Sequence, residues 1–242
     1  MVKGIILAAG RGSRMGINTA SKPKCLNRLH GKTLLDWQLI NLKKSFVKSI
    51  VVVTGYRSNM IKGDFDTIKN NNWANTNMVS SLFCLKNQNT DCIISYSDIV
   101  YRSEHVDKLF KTKGDIVITA DINWKKLWDL RFKNPLDDAE TFKTKNGILT
   151  EIGKKTKNIN NIEAQYMGLL KLTKKGWDKM YEIYDSFDKQ KQNSIDMTAM
   201  LNELLSNKIS IAVTYVNGGW CEADTYSDIL KYENEININK NW

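Results

Sequence analysis

The feature that most constrains this chain is a rhythm in its first half, where short unbroken apolar runs alternate with segments of helical spacing. Residues 3–7 (KGIIL) and 49–54 (SIVVVT) are continuous rather than alternating, the pattern of strands buried on both faces. Between them, Leu35, Leu39, Leu42 and Phe46 recur at helical spacing, behind a Thr33-Leu34-Leu35-Asp36 stretch that reads as a capping box. Strand, loop, helix and strand make a βαβ unit. The rhythm continues with a helix predicted over 78–86, a strand over 92–96, a helix over 104–111 and a strand over 115–120. Repetition of this kind predicts an α/β fold with a doubly wound, mostly parallel sheet.

After about residue 123 the pattern changes. Residues 140–152 read as a hairpin turning at Asn146-Gly147, and 164–172 as a strand containing Gly168. Two amphipathic helices follow, one marked by Trp177, Met180, Tyr181 and Tyr184, the other by Met197, Met200, Leu201 and Leu204. A strand over 210–215 and a last helix from Thr225 complete the pattern. No repeat or low-complexity linker divides the 242 residues, so one domain is expected, built from halves 1–122 and 123–242.

The first strand runs into AAGRGSRMG and then SKPK. In an open α/β sheet, ligands gather at the carboxyl ends of the strands, where this loop must lie. Gly10, Gly12 and Gly16 let backbone N–H groups approach an anion, while Arg11, Arg14, Lys22 and Lys24 add charge and donors suited to phosphate oxygens. A polyphosphate is the natural guest. Spacing excludes two familiar phosphate loops: Met15 stands where a dinucleotide fingerprint needs its third glycine, and no Gly-Lys-Ser/Thr closes the loop.

A formal charge of +10 suits an anionic partner. The lysines are scattered, however, with no basic run or aromatic RNA motif, which argues against nucleic acid. Four dispersed cysteines and two histidines argue against zinc and against a disulfide framework. No segment has the length of a signal peptide core or a membrane span, so a cytoplasmic protein without membrane partners is expected.

LAAGRGSRM followed by KPK resembles the signature loop of the nucleotidyltransferase family of NDP-sugar pyrophosphorylases and their cytidylyltransferase relatives. The longer SKPKCLNRLHGKTLLDWQL is similar to the branch containing bacterial choline-phosphate cytidylyltransferases. VVTGY (52–56), NTNMVSSL (75–82), YSD (96–98) and EADT (222–225) follow in the order the family keeps, with Ser97 where many members have glycine.

The resemblance implies a Rossmann-like, glycosyltransferase-A-like sheet with a small antiparallel decoration in its second half. It implies transfer of a nucleotidyl group, here from CTP, to a small phosphorylated acceptor with release of pyrophosphate, in a nucleotide-binding half followed by an acceptor-binding half. The attacking phosphate is already an anion, so no general base is required. Leu7, Ala8, Ala9, Gly10, Arg11, Gly12, Ser13 and Lys22 would line the nucleotide, with Asn77 and Ser80 near the base. Lys24 would contact the α-phosphate and the attacking phosphate, and Arg14 the β- and γ-phosphates. Asp98 and Asp224 would bind Mg²⁺, for which Mn²⁺ could substitute.

The acceptor stays open at this point. Asp121, Trp124, Trp128 and Asp129 could supply the aromatic face and negative charge that hold a quaternary ammonium, as in phosphocholine. Arg102 and Arg131 suit a carboxylate, as in phosphoglutamine, which some bacterial relatives activate for capsule modification. Glu163 and Gln165 resemble a pocket element of the family. Trp124 and Trp128, four apart, equally read as the buried face of a short helix. A sugar-1-phosphate uridylyl- or thymidylyltransferase is the alternative of the same chemistry; a non-catalytic nucleotide- or RNA-binding protein is the alternative of another class.

Overall fold

The structure is a computed structural model that describes residues 2–86 and 88–236. Its strands are β1 (Val2–Ala8), β2 (Arg28–Leu29), β3 (Lys32–Thr33), β4 (Val47–Thr54), β5 (Asp66–Lys69), β6 (Asp91–Tyr96), β7 (Ile99–Tyr101), β8 (Ile116–Asp121), β9 (Glu140–Lys145), β10 (Ile148–Lys155), β11 (Gln165–Leu172), β12 (Ala212–Val216) and β13 (Trp220–Glu222). The helices are α1 (Leu34–Lys43), α2 (Met78–Leu82), α3 (Ser103–Lys111), α4 (Trp124–Arg131), α5 (Lys174–Asp185), α6 (Lys189–Ser194), α7 (Met197–Ser206) and α8 (Tyr226–Glu235).

Nine strands form one sheet in the order β5-β4-β1-β6-β11-β8-β12-β10-β9. All run the same way except β10 and β11, so the sheet is mixed but mostly parallel, with its antiparallel hairpin at one edge. Both faces are covered. On one side Ile6, Val52, Ile93, Val117 and Leu169 join a single apolar cluster; on the other Ile5, Val53, Ile94, Ile118 and Leu170 join a second. Neighbouring residues of a strand point to opposite faces, so burying both requires the unbroken apolar runs seen in the sequence.

Local signals account for several boundaries. Thr33 and Asp36 close the expected capping box on α1, and Thr225 with Asp228 closes another on α8. Asn146 and Gly147 take φ of 53° and 73°, the two positive values that a two-residue hairpin turn needs. Two expectations are corrected. Helix α1 ends before Phe46, which is 46% exposed and rests on the Phe110 ring. The helix expected over 78–86 is one α-helical stretch, α2, followed by a 3₁₀ turn at Phe83–Leu85, ended by Lys86 at φ 37°.

A small ribbon positions the site. After β6 the chain passes through Ser97 and Asp98 into β7, which pairs antiparallel with β13 so that Glu222 lies opposite Ile99. The Ala223 N–H donates to the Asp98 carbonyl at 2.9 Å. The register of these two short strands brings Asp224 beside Asp98, at the carboxyl edge of β1 and β6.

Candidate active site

Lys24 is the centre of the site. Pro23 sets up a 3₁₀ turn at Lys24–Leu26, and the lysine side chain, only 9% exposed, passes under the loop after β1. Gly12 takes φ 71°, and a Cβ there would stand 2.6 Å from the Lys24 Cβ; glycine is what lets the two segments meet. Lys24 Nζ donates to Asp98 Oδ2 at 2.6 Å and to Asp224 Oδ1 at 2.9 Å. Burial alone would lower its pKa, but the Asp98 and Asp224 charges outweigh that and hold the ammonium above its ordinary range.

Asp224 receives two further cations on its other oxygen. Arg14 Nη1, on a side chain 69% exposed, lies 2.8 Å from Oδ2, and Arg131 Nη2 lies 3.2 Å from it. Burial pushes the Asp224 carboxyl up, yet Lys24, Arg14 and Arg131 together bring it below the usual carboxylate range. Glu222 stands alongside and receives Arg131 Nη1 at 3.0 Å. Desolvation first, then the Asp224 charge, push the Glu222 carboxyl up to about 7 against the pull of Arg131 and Lys24.

Asp98, Glu222 and Asp224 each offer an oxygen, and the three oxygens lie within 4.8 Å of one another. Asp98 Oδ1 is buried and makes no hydrogen bond among the described residues. Hard oxygen donors clustered this closely fit a divalent cation such as Mg²⁺. Glu222 was missed from sequence as a candidate ligand, although it stands two residues before Asp224, where strand alternation returns a side chain to the same face.

Beside Lys24 opens a cavity of about 190 Å³, walled by Leu7, Ala9, Gly10, Gly12 and Arg14 of the loop and by Trp73, Thr76, Asn77, Met78 and Ser81. Gly55 permits this closeness, since a Cβ there would stand 2.5 Å from the Ala9 carbonyl oxygen and 2.6 Å from Trp73. Asn70, buried, donates to Thr76 Oγ1 and Ser81 Oγ and fixes the far wall. Sequence reasoning missed Trp73, Thr76 and Ser81, since nothing local marks which polar residues of a helix entry face inward.

The remaining expected site residues divide. Asn77 lines the cavity, caps α2 by accepting from the Met78 N–H, and donates to the Ser194 carbonyl. Arg11 lies over the Tyr56 ring at 5.8 Å. Ala8 is buried at the end of β1, while Ser13 and Lys22 lie outside the cavity wall. Ser80 lies outside the cavity wall, its hydroxyl facing Gln192 O at 2.5 Å and Tyr184 Oη at 3.1 Å, while Ser81 lines the cavity.

The expected acceptor residues are mostly engaged within the chain. Asp121 is buried and accepts from Asn123 N, Gly218 N and Trp220 Nε1, so it braces a loop. Trp124 and Trp128 are both 4% exposed and pack edge to face in the core. Asp129 pairs on the surface with Lys125. Arg131 is buried, with its guanidinium committed to carboxylates of this chain. Glu163 accepts from Thr144 N and Oγ1, and Gln165 donates to the Glu140 carbonyl. Asp121, Trp124, Trp128, Arg131 and Gln165 are thus buried, while Asp129 and Glu163 keep exposed surface.

A cationic glycine loop facing paired carboxylates at the carboxyl edge of a mostly parallel sheet defines a nucleotidyltransferase. The sequence agrees: the MobA-like NTP transferase domain matches residues 4–128, and the chain belongs to that family. A CTP:phosphoglutamine cytidylyltransferase of Campylobacter jejuni is 36% identical over 255 residues, spanning 98% of this chain and 99% of that protein. The choline-phosphate cytidylyltransferase of Streptococcus pneumoniae is 30% identical over 148 residues, 50% of this chain and 63% of that protein. Among solved structures, the inositol-1-phosphate CTP transferase from T. maritima superposes with a TM-score of 0.76 at 20% identity, covering 97% of both chains, which speaks to the fold alone. Among the described residues, no helix is long and apolar enough to cross a membrane.

Proposed function

We propose that this chain is a cytidylyltransferase that joins CTP to a small phosphorylated amino-acid acceptor of the phosphoglutamine class and releases pyrophosphate. The observation that carries the acceptor is the extent of likeness. The phosphoglutamine enzyme matches from end to end, whereas the choline-phosphate enzyme matches half of this chain. A likeness that runs the length of the chain supports an acceptor of the same class. The burial of Trp124 and Trp128 adds to this, because the aromatic face that would have favoured phosphocholine is inside the core.

In this reading the triphosphate lies along Gly10 to Arg14, with the base in the cavity walled by Trp73, Thr76 and Ser81. Lys24 sits between the two carboxylates, where it can meet both the α-phosphate and the incoming phosphate. Its charge offsets the repulsion of two anions brought together for in-line attack and the charge that develops as pyrophosphate leaves. Arg14, mostly exposed and on a loop with three glycines, reaches the β- and γ-phosphates. Asp98, Glu222 and Asp224 would hold a divalent cation, which would supply further neutralisation of the phosphates. No side chain of the site needs to accept a proton, since the acceptor phosphate is ionised at neutral pH.

The test is pyrophosphate release from CTP, UTP, dTTP and GTP against phosphoglutamine, phosphocholine and glucose 1-phosphate at matched concentration. CTP with phosphoglutamine should turn over fastest. A faster reaction with phosphocholine or glucose 1-phosphate overturns the acceptor, and preference for another nucleotide overturns the base.

A further inference from the structure

The chemistry above uses Lys24 and Arg14 but leaves unexplained a third cation in the same cluster. Arg131 is the last residue of α4, where its positive charge suits the helix terminus. Its side chain is 1% exposed. The guanidinium spends its fork on three carboxylates at once: Nη1 on Glu222 Oε2 at 3.0 Å, Nη2 on Asp224 Oδ2 at 3.2 Å, and Nε 3.6 Å from Asp228 Oδ1. Trp128 and Phe132 flank its plane, with ring centres 5.4 Å and 4.9 Å from the guanidinium carbon. Lys231 Nζ of α8 donates to the Arg131 carbonyl at 2.7 Å, tying the two helices.

We infer that Arg131 is a positioning residue: it grips one oxygen each of Glu222 and Asp224 and thereby aims these carboxylates at the divalent cation and at Lys24. This rests on the nucleotidyltransferase reading of the site and goes beyond it, because Arg131 is buried, committed to carboxylates of this chain and absent from the cavity wall. The geometry divides the labour on Asp224. Oδ2 is held by Arg131, from a rigid helix end walled by two rings, while Oδ1 is left to Lys24. Arg14 also reaches Oδ2, but from an exposed loop side chain that can leave for the phosphates. Arginine is required because only a planar fork can serve two carboxylates in fixed directions while a third lies against Nε; an ammonium is a point charge without that directionality. Outer partners that orient metal-binding carboxylates typically change metal affinity about tenfold or more when removed.

The experiment compares wild type, Arg131→Lys, Arg131→Met and Lys125→Ala, a surface change on the same helix. Thermal unfolding reports folding. Manganese titration of nucleotide-free enzyme, followed by electron paramagnetic resonance, reports the carboxylate site without turnover. Arg131→Lys keeps the charge and should fold, yet should weaken manganese binding about tenfold and raise the magnesium concentration needed for half-maximal turnover in proportion. Lys125→Ala should change neither. Arg131→Met removes the guanidinium from Glu222 and one of three cations from Asp224 and lowers stability; where it does not fold, Arg131→Lys decides. Unchanged manganese affinity in folded Arg131→Lys overturns the inference, even with a lowered melting temperature, because the residue then serves only the fold. A wild type that fails to bind manganese also overturns it. A wild type that binds manganese but releases no pyrophosphate from any substrate pair overturns the proposed function instead, and the two failures stay distinguishable.

Discussion

Replacing Lys24 by alanine should damage catalysis and stability together, and a divalent cation should separate the two effects. In the fold, Lys24 bridges Asp98 and Asp224 from a nearly buried position. Breaking a buried ion pair from one side costs about 3–5 kcal/mol, because the remaining charge is left uncompensated. Here Asp224 keeps Arg14 and Arg131 and Asp98 is partly exposed, so the loss should fall to about 2–3 kcal/mol. Metal on the same carboxylates replaces the missing positive charge, so magnesium should recover most of that loss. Turnover should behave differently. If Lys24 offsets charge that grows in the transition state, its removal costs about 2–4 kcal/mol, a fall of roughly 30- to 1,000-fold, and metal does not restore it. The assays are thermal unfolding with and without magnesium, and initial rates of pyrophosphate release at saturating CTP and acceptor. Two results refute the reasoning. Near-normal turnover with only a raised KM would mean that Lys24 binds ground state and transition state alike. An equal drop in melting temperature with and without magnesium would mean that the cation and the lysine do not share the carboxylates.

Three other outcomes are expected. Excess chelator should abolish turnover, and either Mg²⁺ or Mn²⁺ should restore it, since three carboxylates cluster beside Lys24; full activity in chelator removes the metal assignment. Gly12→Ala should lower turnover sharply and cost about 1–3 kcal/mol of stability, because it forces a positive φ on alanine and drives its Cβ into Lys24; wild-type rates would show that the loop and Lys24 need not touch. Burial lowers the His105 pKa to about 4, so between about pH 6.5 and 4 the unfolded chain takes up a proton that the folded chain refuses. Stability should therefore fall with falling pH across that window, by about 3 kcal/mol from this group, and His105→Gln should flatten the slope; an unchanged slope refutes the assignment.

What could be read from the sequence was what one segment determines alone. The buried strands show as unbroken apolar runs because both faces of the sheet are covered, and the Thr33–Asp36 and Thr225–Asp228 boxes need only residues three apart. The glycine loop, Lys24, Asp98 and Asp224 carried a recognisable pattern, and the fold brings all four together. Side-chain direction was another matter. Ser80 and Ser81 are equally polar neighbours, and only the packing of α2 against Gln192 and Tyr184 turns the first away. Trp124 and Trp128 have the spacing of a buried stripe and equally that of an aromatic recognition face, and the neighbours of α4 decide between them. A place in a loop gives no sign that Lys24 is buried between two carboxylates, one from a segment near the far end of the chain.

The same dependence on partners explains why EADT is informative only once its strand is known. Side chains alternate along an extended segment, so in Trp220–Glu222 and the two residues beyond, Cys221 and Ala223 form one set and Glu222 and Asp224 the other. Cys221 and Ala223 are fully buried and anchor the segment in the core. Glu222 and Asp224 then project together toward Asp98, and pairing of Glu222 with Ile99 fixes how far along they stand. A one-residue slip would exchange the sets, sending two carboxylates into the apolar core and a thiol and a methyl toward Asp98 and Lys24. Two small apolar residues are thus as much a part of the acidic cluster as the acids, because they hold the register that faces both carboxylates the same way. Arg131 then only has to grip one side of each. The carboxylates come from segments near the middle and the end of the chain, and their convergence is set by a three-residue strand pair that no local sequence pattern announces.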